Sequence, residues 1–347
     1  MVALTDEPDA MKPRNQETMP ASFRTVLPTV QTNLDISHAS QVICFGSCFA
    51  EHMGRRLNQL KFRVLTNPSG IVYNPVSVAG SLEMLLADRQ YTAADLFENA
   101  GLWHSFDHHG SFSHPDKQVV LENIHRSLSA ARHFLEQTDR LLVTLGTANV
   151  AVLNETGKVV ANCHKMPGKA FERKRLSVGE IAGILAGIFE KLKTRLPALE
   201  VVVTVSPVRH LRDGLVENQR SKATLLLALE AVSLRCPFVH YFPAYELVLD
   251  DLRDYRFYEP DMAHPNQQAV EYIWQYFGEA YFNEKTKALC QRLADVSAAL
   301  AHQPFHPESA EHQFFLKKQQ EKIAQLAQEY PLLDFSREMA LLAGQVL

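Results

Sequence analysis

The sequence lacks several features that would place it quickly in a familiar class. Its 347 residues contain only five cysteines, scattered and odd in number, which argues against a disulfide framework. No apolar run approaches the roughly 20 residues that a membrane span needs. The first 30 residues hold no apolar block of the secretory type. These absences predict a cytoplasmic protein without a membrane span.

An excess of one charge is also lacking. The 35 basic and 39 acidic residues are mixed along the chain and leave a net charge of −4. Nothing electrostatic therefore indicates nucleic acid or an anionic membrane surface as a partner. The chain is 46% hydrophobic, enough for one large core or for one domain with an appendage. We find no internal repeat.

Short apolar runs alternate with amphipathic helical stretches over most of the chain. This alternation predicts a three-layer α/β fold with a mostly parallel sheet and helices on both faces. The predicted strands lie near residues 42–45, 62–65, 141–145, 201–205 and 238–242.

The pattern changes near both ends of the chain. Residues 1–37 hold four prolines and no periodicity, which predicts a flexible segment, with Phe23–Pro28 as an extended arm. The α/β domain is predicted over residues 38–282. Residues 283–347 read as polar helices and predict an α-helical extension, for which a clamp, an oligomer arm and a partner site all remain open.

One stretch, QVICFGSCFAE from Gln41 to Glu51, carries the clearest chemistry. A buried strand ends at Gly46, Ser47 follows, and an amphipathic helix begins at Cys48. A serine on such a turn is where an α/β hydrolase places its nucleophile, because the helix start supplies free N–H groups. The alternative is a serine that only caps the helix.

A second signal is the pair Asp261-x-x-His264, which follows the last predicted core strand. Three residues apart, the two side chains can face the same way. A carboxylate in that position can hold an imidazole in the tautomer that accepts a proton from a serine. The alternative is a surface ion pair. The position before the helix 267–282 favours an acid–base role.

Other polar residues cluster where predicted strands or turns end. The backbone N–H groups of Ser47 and Gly70 are candidate oxyanion donors, and Asn149 could donate its side-chain amide. Alternatively, Gly70 belongs to a plain surface loop and Asn149 to a turn. The residues expected to line a substrate site are Asn74, Asn162, His164, Arg209 and His210.

Four histidines between residues 101 and 116 raise the alternative of a metal site, namely His104, His108, His109 and His114. No cysteine joins them and no H-E-x-x-H motif is present, so a polar insertion beside a cleft is favoured and no metal is predicted. Three aromatic residues of the insertion are candidates for the wall of an acyl pocket, namely Trp103, Phe106 and Phe112.

Several blocks together resemble the GSCFA family, a branch of the SGNH/GDSL-like ester hydrolases. They are GSCFA, NPSGIVYNP, TLGTA, VANCHKMP, TVSPVRHLRDG, ENQRSKA and YFPAYELVLDDLRDYRFYEPDMAHPN. The resemblance implies a nucleophile at Ser47 and an acid–base pair at Asp261 and His264. It implies an oxyanion hole from Ser47, Gly70 and an asparagine, either Asn149 or Asn162.

The resulting hypothesis is a serine-dependent ester hydrolase or O-acyltransferase acting on an acetyl or other short acyl ester. It needs no cofactor, and it expects a small-molecule or glycan ester as substrate and a possible homo-oligomer through the C-terminal helices. One alternative uses Cys48 or Cys163 as the nucleophile, since a helix N-terminus lowers a thiol pKa. Another is a non-catalytic module that binds a carbohydrate or a lipid.

Overall fold

A central parallel sheet organises the molecule. The structure, a computed structural model, describes residues 24–30, 32–87, 89–302 and 304–344. Its strands, in chain order, are β1 (Gln41–Gly46), β2 (Arg63–Thr66), β3 (Phe97–Asn99), β4 (Leu102–His104), β5 (Arg140–Leu145), β6 (Asn149–Leu153), β7 (Val159–Val160), β8 (Phe171–Arg175), β9 (Glu200–Val205) and β10 (Val239–Tyr241).

Five of these strands form the central sheet in the order β10-β9-β5-β1-β2. Every neighbouring pair is parallel. Counted along the chain, this is the order 2-1-3-4-5 of flavodoxin-like folds. The predicted three-layer α/β fold, with all five of its core strands, is therefore confirmed. The carboxyl ends of β1, β5 and β9 lie side by side at one edge.

Helices cover both faces of the sheet and form the C-terminal region. Their bounds are α1 (Cys48–Gln59), α2 (Pro75–Leu86), α3 (Lys117–Leu135), α4 (Val178–Arg195), α5 (Leu215–Arg235), α6 (Ala244–Glu246), α7 (Gln267–Tyr281), α8 (Glu284–Ala301), α9 (Ala310–Glu329) and α10 (Ser336–Ala343).

The alternation of side chains along β1 explains the two cores. Ile43 and Phe45 face a core that includes α2, α3, α4 and α5. Val42 and Cys44 face the opposite core, which includes α1, α7 and the three C-terminal helices. Because both faces are covered, all six residues of β1 are buried, as expected for a strand of a parallel sheet.

A small antiparallel sheet stands beside the main one. Strand β6 pairs with β7 and with β8. Strands β6 and β7 form a hairpin, and β8 pairs with the other edge of β6; β8 was not predicted from the sequence. Its sequence, FERKR, is exposed at four of five positions, so no apolar alternation marks it as a strand.

The N-terminal segment is packed where the structure describes it. Ile36 is fully buried, and its N–H donates to the carbonyl of Tyr281 at 2.8 Å. Further upstream, Arg24 forms an ion pair with the buried carboxylate of Asp251. The flexibility predicted for residues 1–37 therefore does not extend to these residues, because α7 and its neighbours hold them. Residues 1–23 lie outside the described residues.

Candidate active site

Ser47 lies on a tight turn between β1 and α1. Gly46 has a φ of +140°, and a Cβ atom there would lie 2.1 Å from the carbonyl oxygen of Thr144 on β5. Only glycine fits so close to the neighbouring strand. Ser47 is 3% exposed and caps α1, with its Oγ accepting from the N–H of Phe49 at 3.2 Å. The turn therefore brings the hydroxyl to the carboxyl edge of the sheet.

Asp261 and His264 form a direct pair on the loop before α7. Nδ1 of His264 lies 2.6 Å from Oδ2 of Asp261, while Oδ1 accepts the N–H groups of Ala263 and His264. These two N–H groups and the imidazole lower the pKa of the Asp261 carboxyl to about 2. The carboxylate therefore stays ionised at neutral pH and holds a proton on Nδ1, which leaves Nε2 as an acceptor.

Electrostatic contacts locate this pair relative to the sheet. Burial, Arg55 and His264 lower the pKa of His52 on α1. The charge of His264 also contributes to a lowered pKa at His210, which follows β9, although burial is the main cause there. His264 is therefore within electrostatic range of His52 and His210, and the backbone hydrogen bond from Arg209 to Ala263 places its loop beside the residues that follow β9.

Arg209 fastens this loop to the end of β9. Its N–H donates to the carbonyl of Ala263 at 3.0 Å, and Nη1 donates to that of Met262 at 3.4 Å. The guanidinium also lies over the ring of Tyr258, 4.1 Å from its centroid. These contacts make Arg209 a tether for the loop that carries Asp261 and His264, while its substrate-binding role stays a prediction.

His210 and Tyr73 close the space beside the end of β5. Their rings lie 5.3 Å apart, and the N–H of Gly146 donates to the carbonyl of Tyr73. A methyl group on Gly146 would meet Nε2 of His210 at 2.9 Å and Cβ of Tyr73 at 3.1 Å. Burial, with the charge of Lys222, lowers the pKa of His210 to about 4. His210 is therefore a neutral wall residue at pH 7.

Three of the four predicted oxyanion donors already donate hydrogen bonds, namely the N–H groups of Ser47 and Gly70 and the side-chain amide of Asn149. The N–H of Ser47 donates to Thr144 at 3.2 Å, and that of Gly70 donates to Asn67 at 2.7 Å. Asn149 lies on β6, outside the central sheet, and its amide donates to Asp213. Asn162 uses its amide oxygen to accept the N–H of His164. The structure thus does not bring these four groups together as free donors.

Asn67 is a site residue that the sequence analysis missed. It follows β2, and its Oδ1 accepts the N–H of Gly46 at 2.9 Å, one residue before Ser47. The side chain is buried, with 7% of the residue exposed, and its Nδ2 has no hydrogen-bond partner within the described residues. A buried amide donor without an acceptor is unusual and calls for an explanation. The signal in the sequence that could have pointed to Asn67 was its place in the turn N-P-S-G, residues 67–70.

A polar face of α5 holds the loops that follow β5 and β9. Asn218 accepts the N–H of His210, and Ser221 contacts Thr147 and the N–H of Ala148. Lys222 donates to the carbonyls of two further residues of these loops. These residues belong to the block ENQRSKA, which received no role in the sequence-based prediction. Polar residues at the buried positions of an amphipathic helix were the signal that could have found it.

Two other predicted substrate residues serve the local structure. Asn74 caps α2, and both ends of its amide contact Ser77. His164 is buried, with Nε2 2.8 Å from the carbonyl oxygen of Ser105 and its ring 4.5 Å from that of His104. A substrate-binding role for Asn74 and His164 is therefore not favoured, because their polar atoms are already used.

The histidine-rich insertion is held together by its own contacts. His104 contacts Ser113 and the carbonyl of Asn99, while Phe106 stacks on Phe97 at 3.9 Å. Trp103 and Phe112 pack against the main core. Within the part of the chain that the structure describes, no group of three or more acidic, cysteine or histidine side chains is arranged to hold a metal ion.

The cysteines near the site are poor nucleophiles. Burial raises the pKa of the Cys48 thiol, outweighing the N–H groups at the start of α1. Burial also raises the pKa of Cys163. Both side chains are therefore thiols at neutral pH rather than thiolates. This favours Ser47 over Cys48 as the reactive group of the turn.

The fold defines a mixed α/β protein with a mostly parallel central sheet and a helical C-terminal region, and its candidate site lies at the carboxyl edge of the sheet. Residues 41–277 match the model of the GSCFA family, and residues 293–346 match that of the GSCFA domain protein, C-terminal domain. The chain therefore belongs to the GSCFA family. No curated protein matches the sequence. None of the helices in the described residues is long and apolar enough to cross a membrane.

Proposed function

We propose that this protein is a serine-dependent ester hydrolase or O-acyltransferase of the SGNH type. It acts through an acyl-enzyme on an O-acyl ester that carries an acetyl or another short acyl group. The observation that carries the proposal is the Asp261–His264 pair, at 2.6 Å, on a loop fastened to the sheet edge that also presents Ser47. Within the described residues no hydrogen bond joins Ser47 Oγ to His264, so the support is the carboxylate–histidine part of the serine–histidine–carboxylate arrangement together with the position of Ser47 at the same edge.

The reaction begins when His264 Nε2 takes the proton from Ser47 as Oγ attacks the ester carbonyl. The tetrahedral intermediate collapses when the bond to the alcohol oxygen breaks, and His264 returns the proton to that leaving oxygen. The acyl group then stays on Ser47. Water gives hydrolysis and another hydroxyl gives transfer, by the same steps in reverse order.

The free amide of Asn67 is the donor that we assign to the oxyanion. The N–H groups of Ser47 and Gly70 are engaged with backbone carbonyls in the described conformation. Asn67 Nδ2 is unpartnered, and the amide is held against Gly46, beside the nucleophile. A fixed donor of this kind typically lowers the barrier by about 3 kcal/mol.

The walls of the site favour a small acyl group. Tyr73 and His210 leave no room for even one methyl group on Gly146. The backbone of each residue is fixed, because the carbonyl of Tyr73 accepts the N–H of Gly146 and the N–H of His210 donates to Asn218. A long acyl chain would fit only if these side chains moved, whereas an acetyl group needs less space.

The test is turnover of p-nitrophenyl acetate and butyrate, together with labelling by a fluorophosphonate read by mass. Wild type is compared with Ser47→Ala, Ser47→Gly and Cys48→Ala. We expect faster turnover of the acetate, with turnover and labelling abolished in both Ser47 variants and kept in Cys48→Ala.

Loss of labelling in Cys48→Ala alone would make the cysteine the nucleophile. Folded wild type that neither labels nor turns over either ester would refute the proposal. The alternative, a module that binds a carbohydrate or lipid without turnover, would then account for the fold.

A further inference from the structure

A buried lysine lies at the end of the central sheet without an acidic partner. Lys222 on α5 is 1% exposed, and its Nζ donates to the carbonyls of Gly146 at 2.7 Å and Ser206 at 2.6 Å. These are the first residues after β5 and β9. Within the described residues, no carboxylate forms an ion pair with this ammonium.

Such an arrangement is costly unless it has a use. A buried charge without a counter-ion destabilises a fold, whereas an apolar side chain at the same position would bury no charge. The two carbonyls satisfy two of the three N–H bonds of the ammonium but do not neutralise it. A neutral donor, such as a side-chain amide, could bind the carbonyls of the same loops without the cost of burying a charge.

The charge of Lys222 reaches both sides of the candidate site. It opposes the rise in pKa that burial causes at Cys48, the residue after Ser47. After burial, it is the largest cause of the lowered pKa of His210. Its position is given by hydrogen bonds, because the ammonium binds the carbonyl of Gly146, two residues after Thr144, whose own carbonyl accepts the N–H of Ser47.

Resting on the function proposed above, we infer that Lys222 supplies the fixed positive charge that stabilises the anionic tetrahedral intermediate on Ser47, while it holds the ends of β5 and β9. The intermediate is the counter-ion that the folded protein lacks. Because the interaction strengthens only as negative charge develops, it accelerates the reaction rather than tightening substrate binding. Lys222 thus positions the ends of β5 and β9 and acts on the oxyanion only by electrostatic attraction.

The same charge should respond to pH. Burial lowers the pKa of Lys222 to about 7, against the preference of its two carbonyl partners for the ammonium form. The titratable groups that face it are Cys48 on α1 and His210 after β9, with the ring of Tyr245 on α6 at 5.9 Å. Above about pH 7 the lysine loses its charge, whereas an arginine would keep it.

The first test uses Cys48 as a local probe and does not depend on catalysis. Its alkylation by iodoacetamide is measured against pH by peptide mass in wild type, Lys222→Arg and Lys222→Met. We expect the apparent pKa of the thiol to be about one unit lower in Lys222→Arg than in Lys222→Met, because the arginine stays charged at the pH where the thiol titrates. Equal pKa values in the two folded variants would show that a charge at this position does not reach the turn.

The second test follows the rate of fluorophosphonate labelling at Ser47. We expect labelling about 10- to 100-fold slower in Lys222→Met, with most of the rate restored in Lys222→Arg. Ser221→Ala is the control, because it breaks a neighbouring tether and leaves the charge in place. Equal losses in Lys222→Met and Ser221→Ala would reduce Lys222 to a structural role.

Wild type compared with Lys222→Arg also decides the matter if Lys222→Met does not fold. Its labelling rate divided by that of Lys222→Arg should fall as the pH rises above about 7, and a constant ratio would overturn the inference. Wild type that is not labelled at all refutes the ester hydrolase proposal, while the alkylation of Cys48 still tests the charge by itself.

Discussion

Asn67 combines a left-handed backbone conformation with a proposed role as oxyanion donor. Its φ of +47° lies in the left-handed region, which asparagine and aspartate tolerate better than most residues. Its N–H and Oδ1 both bind β1, at Cys44 and Gly46 respectively. The amide cannot turn over without losing the bond to Gly46, so Nδ2 is the free end.

We expect Asn67→Asp to lower kcat/KM about 100-fold with little change in KM. Aspartate keeps the left-handed backbone and the bond from Gly46, but replaces the donor with a negative charge. Steady-state kinetics and the rate of fluorophosphonate labelling measure the effect.

Asn162→Asp is the matched control, because the amide oxygen of Asn162 serves His164 and an aspartate can take over that bond. It should change the rate less than twofold. A larger loss in Asn162→Asp than in Asn67→Asp would return the oxyanion role to the asparagine that the family resemblance suggested.

Position 46 tolerates a side chain even less well than position 67. Gly46→Ala combines an unfavourable φ of +140° with a contact of 2.1 Å to Thr144. We expect it to lower the free energy of unfolding by roughly 2–4 kcal/mol. Gly157→Ala is the control, since Gly157 has a φ of +69° with open space around it and should lose only about 1 kcal/mol. Urea unfolding measures both, and equal losses would show that the contact with β5 relaxes freely.

At the scale of single elements, helix α1 uses Ser47 both as its cap and as the proposed nucleophile. Ser47→Ala should cost about 1 kcal/mol of stability, whereas Ser47→Gly should cost only a few tenths, since glycine is tolerated at an N-cap. Both variants should be inactive. Thermal unfolding together with ester turnover separates the two roles, and activity in Ser47→Gly would leave the serine as a cap alone.

The loop of residues 259–264 is the second element that decides the site. Arg209→Ala should lower kcat about 10- to 100-fold. The substitution removes the contacts of the guanidinium with Met262 and Tyr258, while the backbone hydrogen bond to Ala263 remains. KM should change little, as expected for a residue that positions the pair and does not bind substrate. Kinetics combined with hydrogen exchange across residues 259–264 measure it.

Arg209→Lys provides the comparison, since a lysine keeps the charge but loses the planar stacking on Tyr258. It should fall between wild type and Arg209→Ala. A large rise in KM with kcat unchanged in either variant would support substrate binding as the role of Arg209.

The whole molecule behaves as one packing unit in this structure. The C-terminal helices α8, α9 and α10 bury their apolar faces in the same core as β1, α1 and α7. Lys61, after α1, also contacts Asp334 and Glu338 in the extension. The family models divide the chain after residue 277, but the side chains on either side of that boundary share one core.

We expect Ile323→Ala, at a fully buried position of α9, to lower the stability of the entire chain by about 2–5 kcal/mol in a single transition. Lys322→Ala, one residue earlier on the exposed face, should change it by less than 0.5 kcal/mol, as is usual for such sites. Calorimetry distinguishes the outcomes, because a separate early transition would mean that the extension unfolds on its own.

The sequence by itself determined the layers of the protein and most of their boundaries. The short apolar runs correspond to the strands of the central sheet, and the amphipathic stretch that begins at Cys48 corresponds to α1. These features depend on residues within a few positions of one another. Local spacing is therefore enough to predict them, and it also singled out the turn at Ser47 and the pair at Asp261.

Long-range packing, by contrast, sets which groups of the site are free to act. The N–H groups of Ser47 and Gly70 look available in the sequence, yet they donate to Thr144 and Asn67. Asn67 and Lys222 look ordinary in the sequence, yet packing leaves one with an unused donor and the other with an unpaired charge. Hydrogen-bond satisfaction and burial are set by partners far away along the chain, so no local pattern records them.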